Sequence, residues 1–181
     1  TTPLGETTLH DRVYRPLLER LQRAGADGVP IGQFRREPEL KDLPAAAAIE
    51  SATALVGIGA ALPIVDARGG DAARATRALN ERIIRRSLDG FGIDFLASPV
   101  TRGGHRVDRL TEFIVDACWR GLDDTEQIAR SVWGGLQRVQ QRAVKDGKAL
   151  QTEEENLAYI RSLAQAFLQD GRKTFEHLGI L

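Results

Sequence analysis

The sequence lacks the residues and segments that several classes of protein require. Among its 181 residues there are only three histidines, a single cysteine, Cys118, and no methionine. One cysteine excludes an internal disulfide, and the scattered histidines leave no metal-ligand spacing, so we predict no metal site. No apolar run approaches the roughly 20 residues of a membrane span, and no signal sequence is recognisable. These absences favour a cytoplasmic protein without a membrane partner.

The first residues also lack a start methionine. Residues 1–8, TTPLGETT, have the composition of an interdomain linker. We therefore expect a linker at residues 1–8 and a chain that is a piece of a longer protein.

The chain has no excess of either charge, because 25 lysines and arginines balance 25 aspartates and glutamates. This balance argues against a general attraction to nucleic acid or to an anionic membrane. The charge is uneven along the chain, since residues 68–109 contain nine arginines and five acidic residues. Any affinity for an anionic partner should therefore be local.

The first part of the chain predicts three helices and a short strand. Residues 9–24 have apolar residues at helical spacing, and Pro30 can begin a short second helix. Pro44 precedes an alanine-rich third helix, and residues 62–65 have strand character. Three helices followed by a strand indicate a winged helix, whose wing would be a β-hairpin.

A fourth helix is predicted from about residue 71 to residue 88. A helical wheel places apolar residues together on the predicted core face: Ala72, Leu79 and Ile83. It places arginines on the opposite, solvated face: Arg74, Arg82 and Arg85. Asn80 falls towards the buried side, where we expect its amide to bond the backbone of a neighbouring strand rather than a ligand.

Residues 93–107 predict the hairpin. The segment IDFLASPV has strand character, and Arg102-Gly103-Gly104 can supply the positive φ angles of a tight turn before His105-Arg106-Val107 returns. The remaining residues read as helices only, with starts at Asp108, Asp124 and Thr152.

Together these patterns predict a mainly α protein with a small β-hairpin. A winged-helix-like subdomain would occupy residues 9–107, with the helix at about 71–88 inserted in it. A helical subdomain at residues 108–181 would pack on it.

The candidates for chemistry have simpler structural explanations. Ser98 lacks the surrounding pattern of a nucleophile elbow and is better explained as part of a bend with Pro99. Gly57 and Gly59 lie in the predicted third helix, and no phosphate-binding glycine pattern is present. Cys118 has no basic neighbour that would favour a thiolate. We therefore predict no catalytic, cofactor-binding or metal-binding residue.

Five short motifs occur in order along the chain: LN at 79–80, LASPVTRGG at 96–104, SVW at 131–133, VKDGK at 144–148 and LGIL at 178–181. In this set the chain resembles the predicted methyltransferase regulatory domain, which follows the catalytic domain in bacterial S-adenosylmethionine-dependent methyltransferases. The resemblance covers roughly residues 10–181. It implies a non-catalytic domain that regulates the catalytic domain of the same parent chain or engages its substrate.

The resemblance also bears on cofactors and partners. S-adenosylmethionine is expected in the parent catalytic domain and not in this chain. Some similar enzymes methylate protein lysines, which makes a protein substrate one candidate partner. If this chain contacts a partner, we expect exposed arginines to do so: Arg74, Arg82, Arg85, Arg102 and Arg106.

Two alternatives remain open. A winged-helix module that binds nucleic acid would use the arginines of residues 68–109, although the third helix contains no lysine or arginine. A dimerisation or scaffold domain, including a homodimer, would use the apolar stripes of the last helices.

Overall fold

The computed structural model describes residues 9–64 and 70–181. The chain divides into two compact units, with the boundary between residues 64 and 65. The linker predicted at residues 1–8 lies outside the described residues, as does Val65 at the end of the predicted strand.

The first unit is built from short helices around a small apolar core. Its elements are α1 (Asp11–Ala24), three 3-10 segments (Gly25–Asp27, Ile31–Arg36 and Pro38–Leu40) and α2 (Ala45–Gly57). Leu17, Phe34, Leu40 and Leu55 are buried together. The strand predicted at residues 62–65 does not form over Leu62–Ile64, because Pro63 lacks a ladder donor and the flanking side chains are exposed.

The second unit contains the other helices and both hairpins of the described residues. Its elements are α3 (Gly70–Leu88), β1 (Phe95–Ala97), β2 (Gly104–Arg106), α4 (Arg109–Trp119), α5 (Thr125–Arg138), β3 (Val144–Lys145), β4 (Lys148–Ala149), α6 (Glu153–Ala166), a π-helical segment (Phe167–Gly171) and α7 (Arg172–His177). One core joins them, and it includes Ile84 of α3, Leu96 of β1, Phe113 of α4, Ile128 of α5 and Ile160 of α6.

The predicted helix starts of the second unit are confirmed. The Asp108 carboxylate accepts a hydrogen bond from Thr111 N at 2.8 Å, and Asp124 does the same for Gln127 N at 2.9 Å. Thr152 opens α6 with a capping box completed by Glu155. Such caps satisfy amide groups that the first turn of a helix leaves free, which is why they mark helix starts in the sequence.

The predicted hairpin is confirmed, and a second one occurs in the part that was expected to be helical only. β1 and β2 pair antiparallel, with Leu96 opposite His105. β3 and β4 also pair antiparallel, around Asp146 and Gly147 at φ values of 51° and 77°. The sequence Asp-Gly favours such two-residue turns, but strands of two residues carry no alternating pattern that would reveal them.

The mainly α class with a small hairpin is confirmed, but the division of the chain differs from the predicted one. α3 and the β1–β2 hairpin share the core of residues 108–181, so the boundary lies at 64/65 rather than at 107/108. The β1–β2 hairpin therefore belongs to the second unit. Local patterns predicted α3 and the β1–β2 hairpin but could not show which core these elements join.

The buried face of α3 also differs from the predicted one. Asn80, Ile84 and Ser87 are buried, Ile83 is half-buried, and Leu79 is half exposed. No helix among the described residues combines the length and apolarity that crossing a membrane requires.

Candidate functional site

Asn80 fixes the β1–β2 hairpin to α3. Its Nδ2 donates to the carbonyl oxygen of Ala97 at 2.8 Å, and its Oδ1 accepts from Ala97 N at 2.7 Å. The side chain is fully buried, so this pair of bonds satisfies polar groups that would otherwise be unpaired. The expectation that Asn80 bonds the backbone of a neighbouring strand is confirmed.

Ser98 holds the turn that follows β1. Its hydroxyl donates to the carbonyl oxygen of Leu178 at 2.6 Å and accepts from the amides of Val100 and Thr101 at 3.1 Å each. The residue is 2% exposed. Because its hydroxyl is buried and fully engaged, Ser98 is a turn residue and not an available nucleophile.

The carboxyl-terminal segment closes over this turn. Gly179 has a φ of 66°, and a Cβ atom on it would lie 2.9 Å from Cγ of Pro99. Trp119 Nε1 donates to the carbonyl oxygen of Ile180 at 3.0 Å. The motifs LN, LASPVTRGG and LGIL are thus brought together in space, although up to 80 residues separate the bonded pairs.

All five arginines predicted as partner-binding residues are exposed. Arg74 forms an ion pair with Asp71 on the same helix. The other four have no ion-pair partner among residues 9–64 and 70–181: Arg82, Arg85, Arg102 and Arg106. Arg102 and Arg106 lie on the hairpin, whereas Arg82 and Arg85 lie on α3.

Hydrogen bonds within the hairpin hold the backbone that carries Arg102 and Arg106. Ser98 N donates to the carbonyl oxygen of Gly103 at 2.9 Å and closes the turn, in which Arg102 has a φ of 52°. Thr101 Oγ1 and His105 Nε2 are hydrogen-bonded at 2.9 Å. Burial lowers the pKa of His105 below its usual range, which favours the neutral ring.

The segment that leads from α3 into β1 carries exposed apolar side chains, to which the sequence analysis gave no binding role. Phe91 is 68% exposed and Phe95 is 49% exposed, and Ile93 between them is also exposed. The glycines on either side of Phe91 were the available signal that this segment is a surface loop. Exposed aromatic residues of this kind are characteristic of binding surfaces.

Sequence analysis also missed Glu112, which lies buried in α4. The Ser87 hydroxyl donates to Oε2, while Oε1 has no hydrogen-bond partner within the described structure. Burial raises the pKa of Glu112 to about 7; Asp94 and Asp108 also raise it, and the Ser87 bond and Arg109 oppose the rise.

The residues that the structure describes form neither a metal site nor an activated thiol. Across the described ranges, no group of three or more histidine, cysteine, aspartate or glutamate side chains could hold a metal ion. Cys118 is half-buried, and burial raises the pKa of its thiol. The thiol therefore stays protonated at neutral pH.

Comparison with known proteins gives one distant relative. No family model matches the chain, and no solved structure matches it. An uncharacterized protein of the cyanobacterium Synechocystis sp. is 30% identical over 179 residues, which is 98% of this chain and 34% of that protein. The chain spans about a third of the length of this curated relative.

Proposed function

We propose that the chain is a non-catalytic domain of a bacterial S-adenosylmethionine-dependent methyltransferase, which regulates the catalytic domain or engages its substrate. The observation that carries this proposal is the bonding of the resemblance motifs to one another. Asn80 of LN binds Ala97 of LASPVTRGG, whose Ser98 binds Leu178 of LGIL. Three of the motifs on which the resemblance rests are therefore in contact, which supports the proposal that they act as one unit.

The length of the relative supports the multidomain context. Only 34% of the cyanobacterial protein matches this chain, so that protein has room for a further domain. In our proposal S-adenosylmethionine binds to such a catalytic domain of the parent protein and not to this chain. In our proposal the parent protein is cytoplasmic, in keeping with the single cysteine of this chain, which cannot form an internal disulfide.

The exposed arginines support a role in binding a polypeptide. Arg82, Arg85, Arg102 and Arg106 are exposed and unpaired in the described structure, and guanidinium groups form paired hydrogen bonds with carboxylates. The candidate partners are the catalytic domain of the parent chain and a protein substrate.

The proposal is tested by comparing the parent protein with a form that lacks residues 9–181. We expect both forms to bind S-adenosylmethionine in calorimetry, and we expect the truncated form to have a changed rate or range of methyl transfer to proteins of a cell extract. The chain alone should neither bind the cofactor nor transfer methyl groups. Micromolar binding with turnover by the chain alone would contradict the proposal, as would identical methyl transfer by both parent forms.

Nucleic-acid binding is the second candidate, favoured by the same unpaired arginines. It predicts salt-dependent binding of duplex DNA that weakens in Arg102→Ala and Arg106→Ala variants. Flat titrations at low salt would exclude it. The dimerisation alternative gains no support from the apolar stripe that begins in α6, because Ile160 and Ala164 of α6 and Phe167 of the π-helical segment are buried in the core of their own unit.

A further inference from the structure

We propose that the outer edge of β2 binds an extended acidic segment of another polypeptide, which joins the hairpin as a third strand. The inference rests on the proposed function only in requiring that the chain engages a polypeptide. It does not depend on the methyltransferase context.

The hydrogen-bond pattern of the hairpin shows which backbone groups point outward. Val107 N donates to Asp94 O at 3.1 Å, and Ser98 N donates to Gly103 O at 2.9 Å. In an antiparallel pair, bonded and non-bonded positions alternate along each strand. The N–H and C=O groups of Gly104 and Arg106 therefore point away from β1, towards the outer edge of β2.

The two edges of the hairpin differ. On β1, the amide of Asn80 binds both backbone groups of Ala97, and Phe95 N donates to Ile93 O at 2.7 Å. On β2, the outward groups of Gly104 and Arg106 have no hydrogen-bond partner among the described residues. The Asn80 side chain thus occupies the hydrogen-bonding groups of Ala97 at the edge of β1. The edge of β2 can still pair with a strand of another polypeptide.

The charges beside the open edge indicate an acidic occupant. Arg106 lies on the edge and Arg102 lies two residues before Gly104, and neither has a carboxylate partner in the described structure. Arg102 also adopts a positive φ, which a residue with a side chain rarely does outside a special turn. If one residue of the added strand lies opposite Gly104, a carboxylate two residues away on one side would face Arg106. A carboxylate two residues away on the other side would lie beside Arg102.

Between the two arginines the surface is apolar. The ring of Phe95 lies over Gly104, with Cδ1 3.4 Å from the position that a Cβ atom would take. Phe95 and Arg106 are directly opposite in the ladder and so share one face of the hairpin. The fitting segment therefore has acidic, apolar and acidic side chains at alternate positions.

The backbone chemistry favours a polypeptide over a nucleic acid. The open edge presents two carbonyl acceptors as well as two N–H donors. A phosphate backbone offers acceptors only, whereas a peptide strand supplies one donor and one acceptor from each residue that faces the edge.

The test is an NMR titration of the whole chain with the blocked heptapeptide TETVTET. We expect saturable shifts of the Gly104 and Arg106 amides, with a dissociation constant between about 10 μM and 1 mM. The lysine counterpart TKTVTKT should bind at least about tenfold more weakly. No saturable shift at about 2 mM peptide and low salt would overturn the proposal.

A backbone-modified peptide tests strand addition without altering the protein. N-methylation of the central valine removes a donor that would face Gly104, so this peptide should not bind. N-methylation of the neighbouring threonine removes a donor that points away from β2. The dissociation constant of this peptide should stay within about twofold of that of the unmodified peptide. Equal effects of the two modifications would overturn the third-strand arrangement.

Charge-reversed variants locate the site. The double variant Arg102→Glu with Arg106→Glu should bind TETVTET at least about tenfold more weakly. The control double variant Arg35→Glu with Arg36→Glu, which has the same net charge and changes two exposed arginines of the first unit, should bind it normally. An equal loss in both variants, or tighter binding of single-stranded oligothymidylate than of TETVTET at the same edge, would overturn the proposal. Because no cofactor or methyl transfer is involved, failure here leaves the proposed function to its own test.

Discussion

At the scale of single residues, Glu112 has a buried carboxyl group with one oxygen, Oε1, that lacks a hydrogen-bond partner in the described structure. A carboxylate without water or full hydrogen bonding is costly, and the protein reduces that cost by holding the proton. The folded state therefore binds a proton at Glu112 over a pH range in which the unfolded chain has released it.

This difference predicts a pH dependence of stability. The pKa of Glu112 is about 7 in the folded state against an ordinary 4.5, so the contribution of Glu112 to stability is greatest below about pH 4.5 and is lost as the pH rises through 7. The full loss is on the order of 3 kcal/mol. Glu112→Gln, which is neutral at every pH, should be more stable than the wild type at pH 8 and closer to it at pH 5, as measured by urea unfolding.

The matched control is Glu154→Gln, which removes an exposed carboxylate from the first turn of α6. The free energy of unfolding of Glu154→Gln should not rise relative to that of the wild type as the pH increases from 5 to 8. A Glu112→Gln variant whose stability difference from the wild type is equal at pH 5 and pH 8 would contradict the prediction.

At the scale of elements, the second unit depends on the closure of its carboxyl-terminal segment over the turn after β1. Leu178 and Ile180 are buried, and their carbonyl oxygens accept bonds from Ser98 and Trp119. Gly179 permits this path because its φ is positive and because Pro99 leaves no room for a side chain.

We therefore expect Gly179→Ala to lower the free energy of unfolding by about 2 kcal/mol or more, combining backbone strain with a clash. Gly147→Ala is the control, since Gly147 also has a positive φ but faces open space. It should lose only about 1 kcal/mol. Chemical unfolding of both variants measures the difference, and an equal or smaller loss in Gly179→Ala would show that the contact with Pro99 is unimportant.

At the scale of the whole molecule, the two units have separate cores. Every buried residue of the larger core lies between Ile84 and Ile180, and every buried residue of the smaller one lies between Leu17 and Leu55. A core composed only of its own residues can support independent folding.

A fragment of residues 70–181 should therefore fold without the first unit. We expect its amide NMR spectrum to overlay the corresponding signals of the full chain, and its melting temperature to lie within about 5 °C of that of the second unit in the full chain. A fragment with collapsed, unresolved signals would show that the first unit is needed for the fold of the second.

Much of the local structure could be predicted from the sequence. The caps at Asp108, Asp124 and Thr152 act within three residues. The hairpin of residues 93–107 was also predicted, but its turn has a positive φ at Arg102 and not at Gly103 or Gly104. Exposure of the predicted arginines also followed from helical spacing and from their charge. These features depend on neighbours along the chain, so the sequence alone contains the information.

By itself, then, the sequence determined where most helices begin, that residues 93–107 contain a hairpin, and that Asn80 needs a backbone partner. Only the tertiary structure decided that α3 buries Asn80 instead of Leu79, that Glu112 meets Ser87, and that Leu178 receives the Ser98 hydroxyl. Those pairs are separated by 25 and 80 residues. No local rule ranks such contacts, because each one is set by the packing of the complete core.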